Sequence, residues 1–294
     1  MSTPTRYGQV TVLVLAAAFA AVATVPAAAA ATHPTLMEGH AFGALLDPGQ
    51  MRVHTALPVH PVPKDLPASV DLSGYLPMVG NQGQVGSCMA WALDYNAIGL
   101  VEAEQGIKGA PHAPMYTYAQ ISQGHDGGST AAQNLAIVTS QGLDTKADYW
   151  QGDTDFTTQP DDNERANAAN WKLSGYNTLD TGTALVDEVK TALAQGQPVI
   201  FGFNVYKSFG QLQDPSLASS YSYYPTPEEL AGQPIAGHGG AIVGYNDQGV
   251  KIANSWGSNW GDHGYYTVPW KFVTDQMREA NAIGGMTATG GGVS

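Results

Sequence analysis

A single cysteine most constrains what this 294-residue chain can fold into. With Cys88 alone, no intramolecular disulfide can form, and no structural zinc site built on several thiolates is available. Stability must come from a hydrophobic core, and a chain near this length can supply one, since about 75% of the unfolded surface is buried at such a size. The formal net charge is −13, and no block of Lys or Arg stands out. A sequence-independent nucleic-acid binder needs a basic footprint, so that class is excluded.

The first residues read as an address. Arg6 is the only charge before Glu38, and Val10–Val25 is apolar apart from Thr11 and Thr24. Pro26 and a run of alanines to Ala31 follow, so residues 1–31 have the charged start, apolar middle and small-residue cleavage site of a secretory signal peptide. An uncleaved anchor is the alternative, but the run is short of the ~20 residues that a membrane span needs. The expectation is a secreted chain, extracellular or periplasmic, with no membrane contact after signal removal. Its 11 basic and 25 acidic residues would then give −14. In an exported protein without disulfides, a lone thiol is either a small buried hydrophobe or a reactive group.

Residues 32–66 form a Pro- and His-containing linker or short pro-segment, with Leu57–Pro67 extended because each proline fixes φ and removes a donor. Residues 67–283 are the folded domain, and the Gly-rich stretch 284–294 is a flexible tail. Apolar spacing predicts helices over Cys88–Glu102, over Ser129–Gln141 with Ser129 as N-cap, and over Thr183–Gln195. Strands are predicted over Val199–Tyr206, Gly240–Tyr245, Val250–Asn254 and Tyr265–Val268. Helical patterns precede strand patterns, which suggests an α+β fold of two halves.

The chemistry gathers around Cys88. Gly83 and Gly86 make a loop, and the helix begins at Ser87/Cys88. A thiol there meets unpaired N–H groups and the positive end of the helix dipole, which favour the thiolate nucleophile. A base and an orienting group are then needed. His238 can pair with Cys88, and Asn254 can accept from the other ring nitrogen and hold the imidazole in place. Trp256 can shield that bond from water, and the Gln82 amide can join the Cys88 N–H as an oxyanion donor.

With those residues in view, the sequence resembles the papain-like cysteine peptidases. Three ordered motifs carry the likeness: Q-G-x-x-G-S-C-x-A-W around Cys88, H-x-x-x-x-x-G-Y from His238, and N-S-W-G-x-x-W-G-x-x-G-Y from Asn254. His238 and Asn254 lie 150 and 166 residues after Cys88, slightly beyond the usual separation in that family. The resemblance implies a papain-like α+β fold, with a helical half, a β-barrel-like half and an active-site cleft between them. It implies catalytic roles for Cys88, His238, Asn254 and Gln82, and a supporting role for Trp256. It also implies substrate-backbone binding by Gly127, Gly128 and Gly237, where Asp126-Gly127-Gly128 resembles the family's Asn-Gly-Gly stretch. The implied function is that of a cysteine endopeptidase acting on proteins or peptides through a thioester acyl-enzyme, as a monomer, without cofactor or metal. Departures are Val85 where the family commonly has Cys, Met89 where Trp is common, and Gly239 where Ala follows the His.

The other histidines (His33, His40, His54, His60, His112, His125, His263) form no metal-binding pair and are expected on the surface or in loops. His125 sits beside the Gly127-Gly128 stretch, where it can tune substrate preference. Asp153, Asp155, Asp161 and Asp162 lack the spacing of a calcium loop and read as a solvated turn. Three other functions are alternatives: a non-catalytic binding protein on the same fold, another thiol acyl-transfer enzyme acting on cell-wall peptides or in transglutaminase fashion, and an adhesin or structural surface protein, which has only the Gly-rich tail in its favour.

Overall fold

Residues 88–105 form the helix around which the other elements pack (α1). It starts as α-helix over Cys88–Ala90, widens to a π-helix over Trp91–Ala97, and returns to α-helix over Ile98–Gln105 before Gly106 ends it at φ 70°. Residues 88–102 are all buried, so this is a core helix and not one with a single apolar face. A computed structural model of the chain describes residues 34–288; the expected signal peptide and the last residues of the tail lie outside them.

Helices α2 (Pro114–Ser122) and α3 (Ala131–Ser140) pack beside α1. The N-cap of α3 is Thr130 and not the predicted Ser129. Thr130 Oγ1 accepts from the Gln133 N–H at 3.1 Å, and the Gln133 side chain accepts from the Thr130 N–H at 2.9 Å. The Ser129 hydroxyl instead accepts from the Asn134 side-chain amide at 2.9 Å, while its backbone N–H and C=O are engaged with residues 43–45. The acidic stretch is divided among separate local tasks. Asp153 pairs with Lys146, Asp155 closes a turn at Thr157 and Thr158, and Asp161 caps α4 (Asp162–Ala168). Helices α5 (Leu185–Ala194) and α6 (Trp270–Gln276) cover the sheet.

The first strands are short: β1 (Leu36–Met37), β2 (His40–Ala41), β3 (Val70–Asp71), β4 (Trp171–Leu173) and β5 (Tyr176–Thr178). They are followed by β6 (Val199–Val205), β7 (Ala236–Tyr245), β8 (Gly249–Ala253), β9 (Tyr265–Pro269), β10 (Met277–Ile283) and β11 (Met286–Ala288). Seven of them make one antiparallel sheet in the order β5-β10-β6-β7-β8-β9, with β3 on β7. The expected barrel-like half is therefore an open sheet, since the path ends at β5 and β9 and these do not pair. Strand β7 starts at Ala236, four residues before the prediction, so His238 lies inside a strand. Gly237, Gly239 and Gly240 weaken the local signal, but pairing with β6 overrides it.

The ends of the domain also differ from expectation. The tail was expected to fray from residue 284, yet Met286–Ala288 pairs with β4. Residues 53–56 are not free linker either: the Thr178 N–H donates to Val53 O at 2.8 Å and the Thr55 N–H to Tyr176 O at 3.0 Å. This stretch covers the β5 edge, which would otherwise present unpaired backbone groups.

Candidate active site

Cys88 stands at the first turn of α1, where the loop of residues 82–87 enters the core. Asp126, which is buried, holds that loop in place. Its Oδ1 accepts from the Gly86 N–H at 2.9 Å and from the Tyr118 hydroxyl at 2.5 Å, and Tyr118 Oη in turn accepts from the Gly128 N–H at 3.0 Å. One carboxylate thus ties the approach to Cys88 to the glycine stretch opposite. Sequence reasoning did not find this role, and the only signal was the position of Asp126 just before Gly127.

On the sheet side, β7 carries His238 and the end of β8 delivers Asn254. His238 Nε2 lies 2.9 Å from Asn254 Oδ1, while Nδ1 is buried with no hydrogen-bond partner. Trp256 lies against the imidazole at a centroid distance of 4.9 Å, and Trp260 meets Trp256 edge-on at 5.0 Å. Gln82 is fixed at both ends of its amide. The Ser255 hydroxyl donates to Oε1 at 2.6 Å, and Nε2 donates to Val85 O at 2.8 Å and to Ala41 O at 3.1 Å. The predicted residues Cys88, His238, Asn254, Gln82 and Trp256 therefore meet in one place, with no hydrogen bond between Cys88 and His238 among the described residues.

What covers them is the chain's own leading segment. The Ala41 N–H donates to Gly83 O at 3.1 Å, the Ala44 N–H to Gly237 O at 3.1 Å, and the Leu45 N–H to Ser129 O at 3.0 Å; the Ser129 N–H donates to Gly43 O at 2.9 Å. The segment thus crosses the cleft and bonds to both walls. Glycines permit the approach: a Cβ on Gly43 would lie 1.9 Å from Gly86 O, one on Gly128 2.3 Å from Gly43 O, and one on Gly237 2.2 Å from Ala44 O. In this state Ser129, not Gly127 or Gly128, supplies the backbone pairing. The Gly128 N–H is taken by Tyr118, and Gly127 lines a small cavity beside the segment. Phe42 packs on His238 at 5.4 Å and on Trp256 at 5.3 Å, and His40 stacks on Trp256 at 5.0 Å.

Burial then governs the ionisation. The Cys88 thiol is pushed up to about 11 by desolvation, although backbone N–H groups of Gly239, Gly43, Met89 and Cys88 itself pull the other way. This reverses the expectation of a lowered thiol pKa, because the helix-start effect is smaller than the cost of a buried charge. Burial also drives His238 down to about 4; the bond to Asn254 opposes this, and the neighbouring His40 adds to it. Beneath the segment, thiol and imidazole are both neutral.

Two histidines depart from the surface-or-loop expectation. His112 is fully buried 3.0 Å from Glu102, and His40 is the residue stacked on Trp256. His125 is exposed beside Gly127, whose N–H donates to the His125 carbonyl at 2.7 Å.

Residues 66–274 match the family described as papain family cysteine protease. The chain belongs to that family. Among its relatives are an uncharacterized peptidase C1-like protein of Acanthamoeba polyphaga mimivirus, 29% identical over 67% of this chain, and a cathepsin L-like proteinase of Phaedon cochleariae, 27% identical over 68%. The matches span 65% and 59% of those two relatives' own lengths. Among solved structures, xylellain, a cysteine protease from Xylella fastidiosa, superposes with a TM-score of 0.69 at 25% identity, covering 85% of this chain and 99% of that one. The papain-like α+β fold is thereby established. Within this papain-family chain, two departures noted in the sequence compensate each other: a Cβ on Gly239 would sit 2.1 Å from Met89 Sδ, so Met89 fills the space that the glycine leaves.

Proposed function

We propose that this papain-family chain is an exported, monomeric cysteine endopeptidase that needs no cofactor, and that residues 34–46 hold it inactive until they are displaced. One observation carries the reading: the cleft over Cys88 already grips an extended peptide backbone from both walls, and the Gln82 amide already donates to a peptide carbonyl there. A protein or peptide substrate needs the same grip.

When the segment leaves, water returns and the neutral pair can exchange a proton. The Cys88 thiol transfers its proton to His238 Nδ1, the ring nitrogen that Asn254 leaves free. The thiolate attacks the scissile carbonyl, and the Gln82 amide and the Cys88 N–H stabilise the oxyanion. His238 gives its proton to the departing amine, leaving a thioester on Cys88. Water then enters, His238 takes its proton, and the acid product departs with the thiol restored. Trp256 and the aromatic residues behind it keep water from the His238–Asn254 bond.

The test treats the purified chain with a thiol-directed epoxide under reducing conditions, followed by intact mass and by cleavage of casein and fluorogenic peptides. Labelling at Cys88 with loss of activity is expected, and Cys88→Ala should lower turnover by at least about 10³-fold. Undiminished cleavage by Cys88→Ala would overturn the assignment. Labelling without peptide cleavage would favour a different acyl substrate.

A further inference from the structure

A second hollow opens outside the cleft, between the turn over residues 148–151 and one side of α4, with a volume of about 400 Å³. Asp148, Trp150, Asp161, Asn163, Glu164 and Asn167 line it, and none of them is a residue of the cleft. Three carboxylates, two amides and an indole thus meet with no basic side chain among them. Asn163 and Asn167 are four residues apart and share one side of α4. Trp150 is 72% exposed and takes no part in the hydrophobic core.

Glu164 is the buried member of this lining. It is only 4% exposed; its Oε2 accepts from the Asp161 N–H and from the Gln151 side-chain amide, both at 2.8 Å, and its Oε1 has no partner. Next to Asn167, Asp144 is fully buried. Its Oδ1 accepts from the Thr145 N–H at 2.8 Å and from Asn167 Nδ2 at 2.6 Å, and its Oδ2 has no partner. Asn167 Nδ2 also donates to Asp148. Burial, joined by the charges of Asp148 and Glu164, pushes the Asp144 carboxyl up to about 6, against the bonds from Asn167 and the Thr145 N–H. The basic residues nearest in sequence are engaged elsewhere: Lys146 pairs with Asp153, and Arg165 Nη1 donates to Gln120 Oε1 at 2.7 Å and to Gln141 Oε1 at 3.3 Å. Among the described residues, Asp144, Asp148, Asp161 and Glu164 form no ion pair.

We propose that this hollow is a second binding site, for an organic cation: the guanidinium or ammonium group of a polypeptide side chain or of a free polyamine. Such a group lies over the Trp150 ring while donating to Glu164 Oε1 and to the rim carboxylates Asp148 and Asp161. A metal ion fits less well. The described residues hold no group of three or more His, Cys, Asp or Glu side chains set to ligate one, and the hollow is many times its size. A merely solvated acidic face accounts for the exposed Asp148 and Asp161. It leaves unexplained a buried carboxylate oxygen without a donor, since buried polar atoms are ordinarily hydrogen-bonded. The proposal stands apart from the peptidase reading, because it shares no residue with the chemistry at Cys88.

The experiment titrates the full chain at neutral pH, by ligand-observed NMR, with butylguanidinium, putrescine and Nα-acetyl-arginine amide, and with neutral butylurea as the uncharged control. Butylguanidinium should bind at least about tenfold more tightly than butylurea. Trp150→Ala should weaken it at least about threefold, and Glu164→Gln at least about tenfold. Glu164→Gln keeps an oxygen that can accept from the Asp161 N–H, so α4 retains its cap, and Trp150→Ala alters only an exposed ring. Blocking Cys88 with the epoxide should leave binding unchanged, which separates this hollow from the cleft. Tighter binding of Nα-acetyl-arginine amide than of putrescine would support a polypeptide side chain as the occupant, and the reverse order a free polyamine. Butylurea binding as tightly as butylguanidinium, wild-type affinity in both variants, or loss of binding on blocking Cys88 would each overturn the inference. None of these results depends on peptide cleavage, so the peptidase reading stands or falls separately.

Discussion

At the scale of single residues, His238 carries a pH signature. Its folded pKa is about 4 against an ordinary 6.5, because burial disfavours the imidazolium. As pH falls below 6.5, the unfolded chain binds a proton that the folded chain refuses. Stability is therefore lost between pH 6.5 and about 4, and this one group accounts for about 3 kcal/mol across that window. Urea unfolding at about pH 7 and about pH 4.5 should show the wild type losing about 2 kcal/mol more than His238→Gln. Equal losses would mean that the imidazole is solvated. Residues of this kind differ in how legible they are. Cys88, His238 and Asn254 sit in short local motifs, so a linear reading finds them. Asp126 works through Gly86, 40 residues away, and Tyr118, 8 away, so its place before Gly127 is the only local sign of it. Met89 and Gly239 looked like two separate departures in the sequence, and only contact in space makes them one.

At the scale of elements, the segment over residues 34–46 was the least legible part of the site. It carries no motif, and its hold on the cleft runs mainly through backbone groups that almost any residues could offer. Gly43 is the exception, since its missing side chain is what lets the segment pass Gly86. Gly43→Ala should therefore force the segment off while leaving Cys88, His238 and Asn254 untouched. The rate of Cys88 labelling by the epoxide at neutral pH should rise at least about tenfold, a shift of about 1.4 kcal/mol in the opening equilibrium. An unchanged rate would show that the segment does not guard the thiol. The α1 helix was well placed from its apolar spacing, but its burial on all sides was not, because a one-stripe pattern and a core helix share the same spacing. Strand β7 was cut short for the opposite reason: its glycines speak for a loop and its pairing with β6 makes a strand.

At the scale of the whole molecule, a core without disulfides holds the domain, and the guarded cleft depends on a stretch fastened at two places. Residues 34–46 lie in the cleft and residues 53–56 lie along β5, with Met51 between them 82% exposed. A protease should cut that intervening turn first, leaving residues 53–56 on the sheet edge. Mass spectrometry of limited digests should find the first cut within residues 48–52, and first cutting elsewhere would count against this arrangement. The same cut changes the kind of equilibrium that governs activity. While the chain is intact, a short tether holds the segment at an effective concentration in the millimolar range, and occupancy of the cleft does not depend on how much protein is present. Once nicked, the released piece is an ordinary ligand that must find its cleft by diffusion. Specific activity of the nicked protein should then rise on dilution, whereas that of the uncut chain stays constant. At high concentration the nicked peptidase would stay restrained, and spreading into a larger volume would by itself switch it on.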